Sequence, residues 1–219
     1  MRPLAARPGG CSDGALTGWL HESRSWSSGV SEGPRIRAAA PGDDVQPLIR
    51  AAFADQGDVV ARLWADLERS DALRASLVAE QDGRIVGHVG LSHAWLDARR
   101  QLVDVWLLSP LSVVPACQGR GIGTRLLAAA VEEARSSGTP LLFLEGSPDY
   151  YGSRGFEPAG AHGFRPASER TPDGAFQVVR FAGHEDWMTG QVIYRDVWWR
   201  HDSAGLRDPM LAQIEEGHR

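Results

Sequence analysis

The segment Val113-Val114-Pro115-Ala116-Cys117-Gln118-Gly119-Arg120-Gly121-Ile122-Gly123-Thr124 constrains this chain more than any other. An apolar run precedes it and an amphipathic pattern follows, with Ile122, Leu126, Leu127, Ala130, Val131 and Ala134 on one stripe. Between them Gly119, Gly121 and Gly123 alternate with other residues. Glycine allows positive φ and a close backbone approach. A loop that ends in a helix N-terminus aims free N–H groups and the positive end of the helix dipole at one point. The chain must therefore hold a strand, a turn and a helix that together make an anion site from main chain. A P-loop is excluded, since no Gly-Lys-Ser/Thr follows and every basic residue is arginine. The dinucleotide fingerprint fails too, because its third glycine would fall at Thr124. By itself such a loop is equally compatible with a tight turn, so its surroundings decide.

Those surroundings read as α/β. Residues 1–34 are rich in Gly, Ser, Arg and Pro and read as a flexible arm, with Trp19, Leu20 and Trp26 as its apolar exceptions. A domain is expected over 35–183. It opens with a strand at Arg35–Ala39, then a turn and N-cap at Pro41–Asp44. Two helices follow, one carrying Val45, Leu48, Ile49, Ala52 and Phe53 on one face, the other over Asp58–Arg69. Strands are expected at Ala75–Glu80 and Ile85–Leu91 around a Gln81–Arg84 turn. A third runs over Leu102–Leu108, breaks at Ser109-Pro110 and resumes at Leu111–Val114, because proline cannot donate to a ladder. Gly138 closes the helix after the glycine loop. Leu141–Leu144 is apolar throughout, as a strand covered on both faces would be, and makes part of the sheet parallel. A short helix over Asp149–Arg154, a strand from Phe156, a loop over Gly160–Asp173 and a strand over Ala175–Arg180 complete the domain. The tail, 184–219, carries Val192–Tyr194 and Val197–Trp199 and should pack on the body, with a short helix and frayed end after Gly205.

A net charge of −5 argues against general nucleic-acid binding. The two cysteines, Cys11 and Cys117, fit no metal spacing and suit a reducing compartment. The 7 histidines do not cluster, so no metal is expected. No apolar run approaches the ~20 residues of a membrane helix, and glycines interrupt any signal-peptide core. A cytoplasmic protein without membrane or nucleic-acid partners is the expectation.

Pro115-x-x-Gln118-Gly119-Arg120-Gly121-Ile122-Gly123, after a strand and before an amphipathic helix, resembles the acyl-CoA loop of the GNAT N-acetyltransferase superfamily. Tyr151-Gly152-Ser153-Arg154-Gly155-Phe156 resembles that family's Tyr-x-x-x-Gly-Phe, just after the next strand. The order of elements over about Arg35 to Arg180 matches as well. The resemblance implies a GNAT fold, a mixed and mostly antiparallel sheet with helices on both faces. It implies transfer of an acetyl or other acyl group from acetyl-CoA to a primary amine, by direct attack in a ternary complex. Gln118, Gly119, Arg120, Gly121, Ile122, Gly123 and Thr124 would hold the pyrophosphate, and Leu111, Ser112 and Val113 the pantetheine arm. An N–H here, from Val113, would polarise the thioester carbonyl. Tyr151 would give a proton to the leaving thiolate, with an unperturbed pKa of about 10; Tyr150 is expected to be mainly structural. For the base that takes the ammonium proton, Asp104, Glu145, His88 and His93 stay open. A small-molecule or peptide amine is the implied partner, a homodimer is allowed, and a non-catalytic acyl-CoA sensor or another diphosphate-binding α/β protein is the rival reading.

Overall fold

A computed structural model of the chain describes residues 33–172, 174–206 and 214. The N-terminal arm, apart from Gly33 and Pro34, lies outside the described residues, as does most of the helix expected after Gly205.

The expected sheet is present, mixed and mostly antiparallel. Its strands are β1 (Arg35–Ala38), β2 (Leu73–Gln81), β3 (Arg84–Ala98), β4 (Leu102–Val113), β5 (Leu141–Glu145), β6 (Glu157–Pro158), β7 (Phe164–Arg165), β8 (Phe176–Arg180) and β9 (Gly190–Tyr194). They run in the order β1-β2-β3-β4-β5-β8-β6, while β9 pairs with β3 and β7. Among the described strands only β4–β5 and β7–β9 are parallel. The helices are α1 (Gln46–Ala52), α2 (Gly57–Glu68), α3 (Ile122–Ser137), α4 (Pro148–Gly152) and α5 (Asp196–Arg200).

β3 reaches Ala98, well past the expected Leu91: it runs on through Ser92 and His93, polar but buried, to where β4 and β9 both pair with it. β2 lies against its first part, and β9 takes over the same edge at Ala94–Ala98. α1 is not capped by an aspartate at its N-cap position, which is Val45. Asp43 instead accepts the amide of Ala40 (2.7 Å) and pairs with Arg37 (2.6 Å), closing the turn after β1. Asp44 accepts the amide of Gln46.

The sheet separates two apolar layers. Ile49, Trp64, Leu67, Val105, Leu107, Leu141, Phe143, Val192 and Trp198 belong to the layer under α1, α2 and the C-terminal segment. Leu91, Leu108, Ile122, Leu126, Leu127, Leu142, Leu144 and Phe156 belong to the layer under α3. Side chains on a strand alternate between faces, so Phe143 and Glu145 look toward the first layer and Leu142 and Leu144 toward the second.

One irregularity opens the sheet. Val89 pairs with Leu111 and Leu91 with Leu108, so Ser109 and Pro110 together face Gly90. That is a bulge at the proline, and a bulged strand bends. Opposite the bulge Gly90 makes room for Trp64, since a Cβ there would lie 2.2 Å from a ring carbon of Trp64 and 2.9 Å from the Ser109 carbonyl oxygen. β4 stays beside β5 only at Trp106–Leu142 and Leu107–Phe143. Beyond this, β4 and β5 carry no ladder between them.

Candidate active site

The amide of Val114 donates to the carbonyl of Val86 (3.0 Å). In an antiparallel ladder, alternate residues spend their main-chain groups on the neighbour. Val114 and Ser112 thus face β3, and Leu111 and Val113 turn theirs to the open edge. The Val113 carbonyl accepts Gln118 Nε2 (3.1 Å), which pins the glycine loop to the strand it leaves. This loop and the opening between β4 and β5 share one cavity of about 1380 Å³.

Gly119 and Gly121 have φ of +73° and +79°, and nothing lies within 4 Å of where their side chains would be. Gly121 is the N-cap of α3 and supplies no side-chain cap, so the first amides of α3 stay free of one. Gly123 serves a different purpose: a Cβ there would sit 2.6 Å from the Tyr150 hydroxyl. The cavity wall includes Leu111, Val113, Gln118, Gly119, Gly121, Ile122, Gly123, Thr124 and Tyr151. Ser112 and Arg120 are not on it. Ser112 points its buried hydroxyl to the other face of the strand, and Arg120 is exposed on the loop.

Tyr151 packs against Tyr150 and Phe156 (ring centroids 4.9 and 5.9 Å). Gly146 makes room for it, since a Cβ there would lie 2.5 Å from the Tyr151 ring. Contrary to the expected ordinary value, burial first and neighbouring Tyr150 second push the Tyr151 phenol above its usual range. The hydroxyl therefore keeps its proton at every physiological pH. Tyr150 stands at the loop, with the Arg154 guanidinium 3.9 Å over its ring. Arg154 Nε donates to Thr124 Oγ1 (3.0 Å), and Arg154 is on the cavity wall. Sequence reasoning missed Arg154 as a site residue, although it lies within the Tyr-x-x-x-Gly-Phe run.

Of the four carboxylate and histidine candidates, only Glu145 reaches the cavity. Asp104 has a side chain 81% exposed and accepts from His93 Nε2 (2.8 Å). His93 is spent between Asp104 and Arg195, whose guanidinium donates to Nδ1 (3.3 Å). His88 is buried against Trp64, and burial holds its pKa down at about 3. Glu145, at the end of β5, accepts the hydroxyls of Tyr194 (2.7 Å) and Thr171 (3.1 Å) through Oε1. Burial raises its pKa, against the lowering effect of those hydroxyls, the Gly205 amide and the charge of Arg170. Tyr194 is raised in turn, by burial and then by Glu145.

The other end of the cavity is walled by Phe53, Val59, Val60 and Leu63 from the helical side and by Trp198 and His201 of the C-terminal segment. His201 Nε2 meets Asp66 of α2 at 2.6 Å, which joins the two walls.

The Acetyltransferase (GNAT) family matches residues 43–157. The chain belongs to this family. It is 36% identical over 122 residues to the uncharacterized N-acetyltransferase YjhQ of Escherichia coli (strain K12), a match that covers 55% of this chain and 66% of YjhQ, just under two thirds of that relative. Its fold is similar to that of the GNAT family N-acetyltransferase YhbS from Escherichia coli, solved in complex with CoA. That likeness has a TM-score of 0.67 and 28% identity, and covers 77% of this chain and 93% of YhbS. A GNAT family acetyltransferase from Brucella melitensis, solved in complex with acetyl-CoA, is similar at a TM-score of 0.61 and 28% identity, over 75% of this chain and 97% of that one. The family match ends at Glu157, so in this GNAT chain β7, β8, β9 and α5 lie beyond it. Among the described residues no group of three or more His, Cys, Asp or Glu is placed to hold a metal, and no helix is long and apolar enough to cross a membrane.

Proposed function

We propose that this chain is an N-acetyltransferase that moves an acetyl group from acetyl-CoA to a primary amine within one ternary complex. The observation that carries this is the opening beside β4, where two outward-facing amides lead straight into an uncapped helix N-terminus within a single cavity. Two GNAT structures similar to this chain hold CoA or acetyl-CoA, which supports the same co-substrate here.

The residues suit that ligand. The free positions before Gly119 and Gly121 and the first amides of α3 would hold the pyrophosphate, with Arg154 and Thr124 at its side. The open edge of Leu111–Val113 offers main-chain partners to an extended, peptide-like arm. Acetyl-CoA would supply the activated acyl group as a thioester. The Val113 amide is a preorganised donor for a carbonyl oxygen that gains negative charge. Tyr151 holds a proton on an oxygen with no hydrogen-bond partner among the described residues, ready to be donated to a departing sulfur. Because its phenol stays neutral, it donates without first having to be protonated. The free amine nitrogen forms the new C–N bond as the C–S bond breaks; of the two protons an ammonium gives up, one leaves through the other end of the cavity before attack and one replaces the proton that Tyr151 gave to the sulfur.

The test is thiol release from acetyl-CoA across amines of several classes, with the N-acetylated product identified by mass. Amine-dependent release supports the proposal. Tight binding of acetyl-CoA without release from any amine would make the chain a sensor of acyl-CoA, and stabilisation by NAD or ATP but not by acetyl-CoA would sink both readings.

A further inference from the structure

Glu145 is a half-buried carboxylate with hydrogen bonds and no salt bridge among the described residues. Its three donors, the Tyr194 and Thr171 hydroxyls and the Gly205 amide, are all neutral. A carboxylate has about four acceptor positions, so about one remains, and Glu145 stands on the cavity wall. The guanidinium whose charge bears on Glu145, that of Arg170, is committed to Asp202 (2.8 Å) and to the Ala204 carbonyl (2.6 Å). A partly desolvated charge without an ionic partner carries a cost, and a cation entering the cavity relieves it.

The rest of that end of the cavity narrows the choice. Phe53, Val59, Val60, Leu63, Trp198 and Leu206 give it an apolar wall. The arginine that lines the cavity, Arg154, is tied to Thr124 at the glycine-loop end. His201, the other basic group on the wall, is engaged with Asp66. The chain contains no lysine. A carboxylate or phosphate on the acceptor would thus be buried beside Glu145 with no cation among the described lining residues to receive it. A polycation would fare little better, since the other acids on the wall, Asp55 and Asp149, are both exposed and offer a second cationic centre only a solvated, screened partner.

Resting on the transfer reading above, we infer that the acceptor is a primary monoamine carried on an apolar aryl or branched alkyl body, with its ammonium received by Glu145. Glu145 takes one proton from R–NH3+, leaving R–NH2 to attack and a neutral carboxyl that returns its proton to solvent.

The experiment compares 2-phenylethylamine, L-phenylalanine, L-phenylalaninamide and spermidine as acceptors for the full chain with acetyl-CoA, by thiol release. The first two differ only by a carboxylate, and the amide restores neutrality at the same position. Phenylethylamine is expected to exceed phenylalanine in kcat/KM by at least roughly tenfold, since like charges brought together are strongly disfavoured. The amide should recover part of the loss, and spermidine should fall below phenylethylamine. Glu145→Gln keeps an acceptor oxygen for Tyr194 and removes the charge. It should lower kcat, raise the KM for phenylethylamine and shrink the phenylethylamine-to-phenylalanine ratio, with acetyl-CoA affinity unchanged. A merely structural Glu145 would leave that ratio alone. Equal or better turnover of phenylalanine or spermidine by the wild-type chain overturns the acceptor class and leaves the transfer reading standing. Bound acetyl-CoA with no thiol release from any amine overturns both.

Discussion

Gly146→Ala isolates the placement of Tyr151 from its chemistry. The added methyl would lie 2.5 Å from Tyr151 Cε2, 3.1 Å from Cδ2 and 3.5 Å from Cζ. Ordinary carbon contacts begin near 3.5–4.0 Å, so the ring must retreat by about 1 Å. It cannot do so freely, because Tyr150 and Phe156 pack edge-on against it. Overpacking of this kind costs about 1–3 kcal/mol, and each kcal/mol lowers Tm by about 2–4 °C in a domain of this size. A displacement near 1 Å at a reacting group can cost on the order of 10²-fold in rate. Turnover should therefore fall far more than stability. The assay is thermal unfolding alongside thiol release, for Gly146→Ala, Tyr151→Ala and the double variant. In the Tyr151→Ala background the methyl has no ring to meet, so its stability cost should largely vanish and the cycle should show coupling. Wild-type Tm and turnover in Gly146→Ala, or additive effects in the cycle, would refute the steric account.

Tyr151→Phe should lower turnover by about 10²-fold or more and leave acetyl-CoA affinity nearly intact; unchanged turnover would remove Tyr151 as the proton donor. At Gly121, where φ is +79°, valine meets no neighbour but must adopt a left-handed backbone, at about 1–2 kcal/mol or more. Calorimetry should find acetyl-CoA binding weakened at least roughly tenfold as the loop relaxes, and a folded Gly121→Val variant with wild-type affinity would contradict the anion site. His88 has its folded pKa depressed from 6.5 to about 3, so its contribution to stability is present above pH 6.5 and is lost as pH falls from 6.5 toward 3. Denaturant titrations should show a shallower decline over that window in His88→Asn than in wild type, and equal slopes would place the acid sensitivity elsewhere.

Much of the fold was legible because it is written in local patterns. The buried positions of α3 are those of its apolar stripe, Ile122, Leu126, Leu127, Ala130 and Ala134. Pro110 announced the bulge in β4 through the donor it lacks. The loop glycines were legible as a class but not as individuals. Gly119 and Gly121 have positive φ, whereas Gly123 is small because of Tyr150, and Gly146 because of Tyr151. Such reasons depend on side chains from other turns and carry no periodic signal. The extent of β3 was hidden because Ser92 and His93, polar but buried, interrupt its apolar run.

Local chemistry along the chain, in glycines, a proline and an amphipathic helix, determined that a strand would bend, turn and enter a helix with its amides exposed. Those signals act over a few residues and need nothing distant to be read. Tertiary structure alone decided which acid faces the cavity. The sequence names Asp104 and Glu145, and behind them His88 and His93, and does not choose among them. They separate because Asp104 points to solvent, His93 is held by Asp104 and Arg195, and His88 lies under Trp64. Glu145 is left at the cavity, with Tyr194 brought to it across 49 positions by the pairing of β9 with β3. Contacts between residues so far apart are set by how sheet edges and layers meet, and no spacing in the chain encodes them.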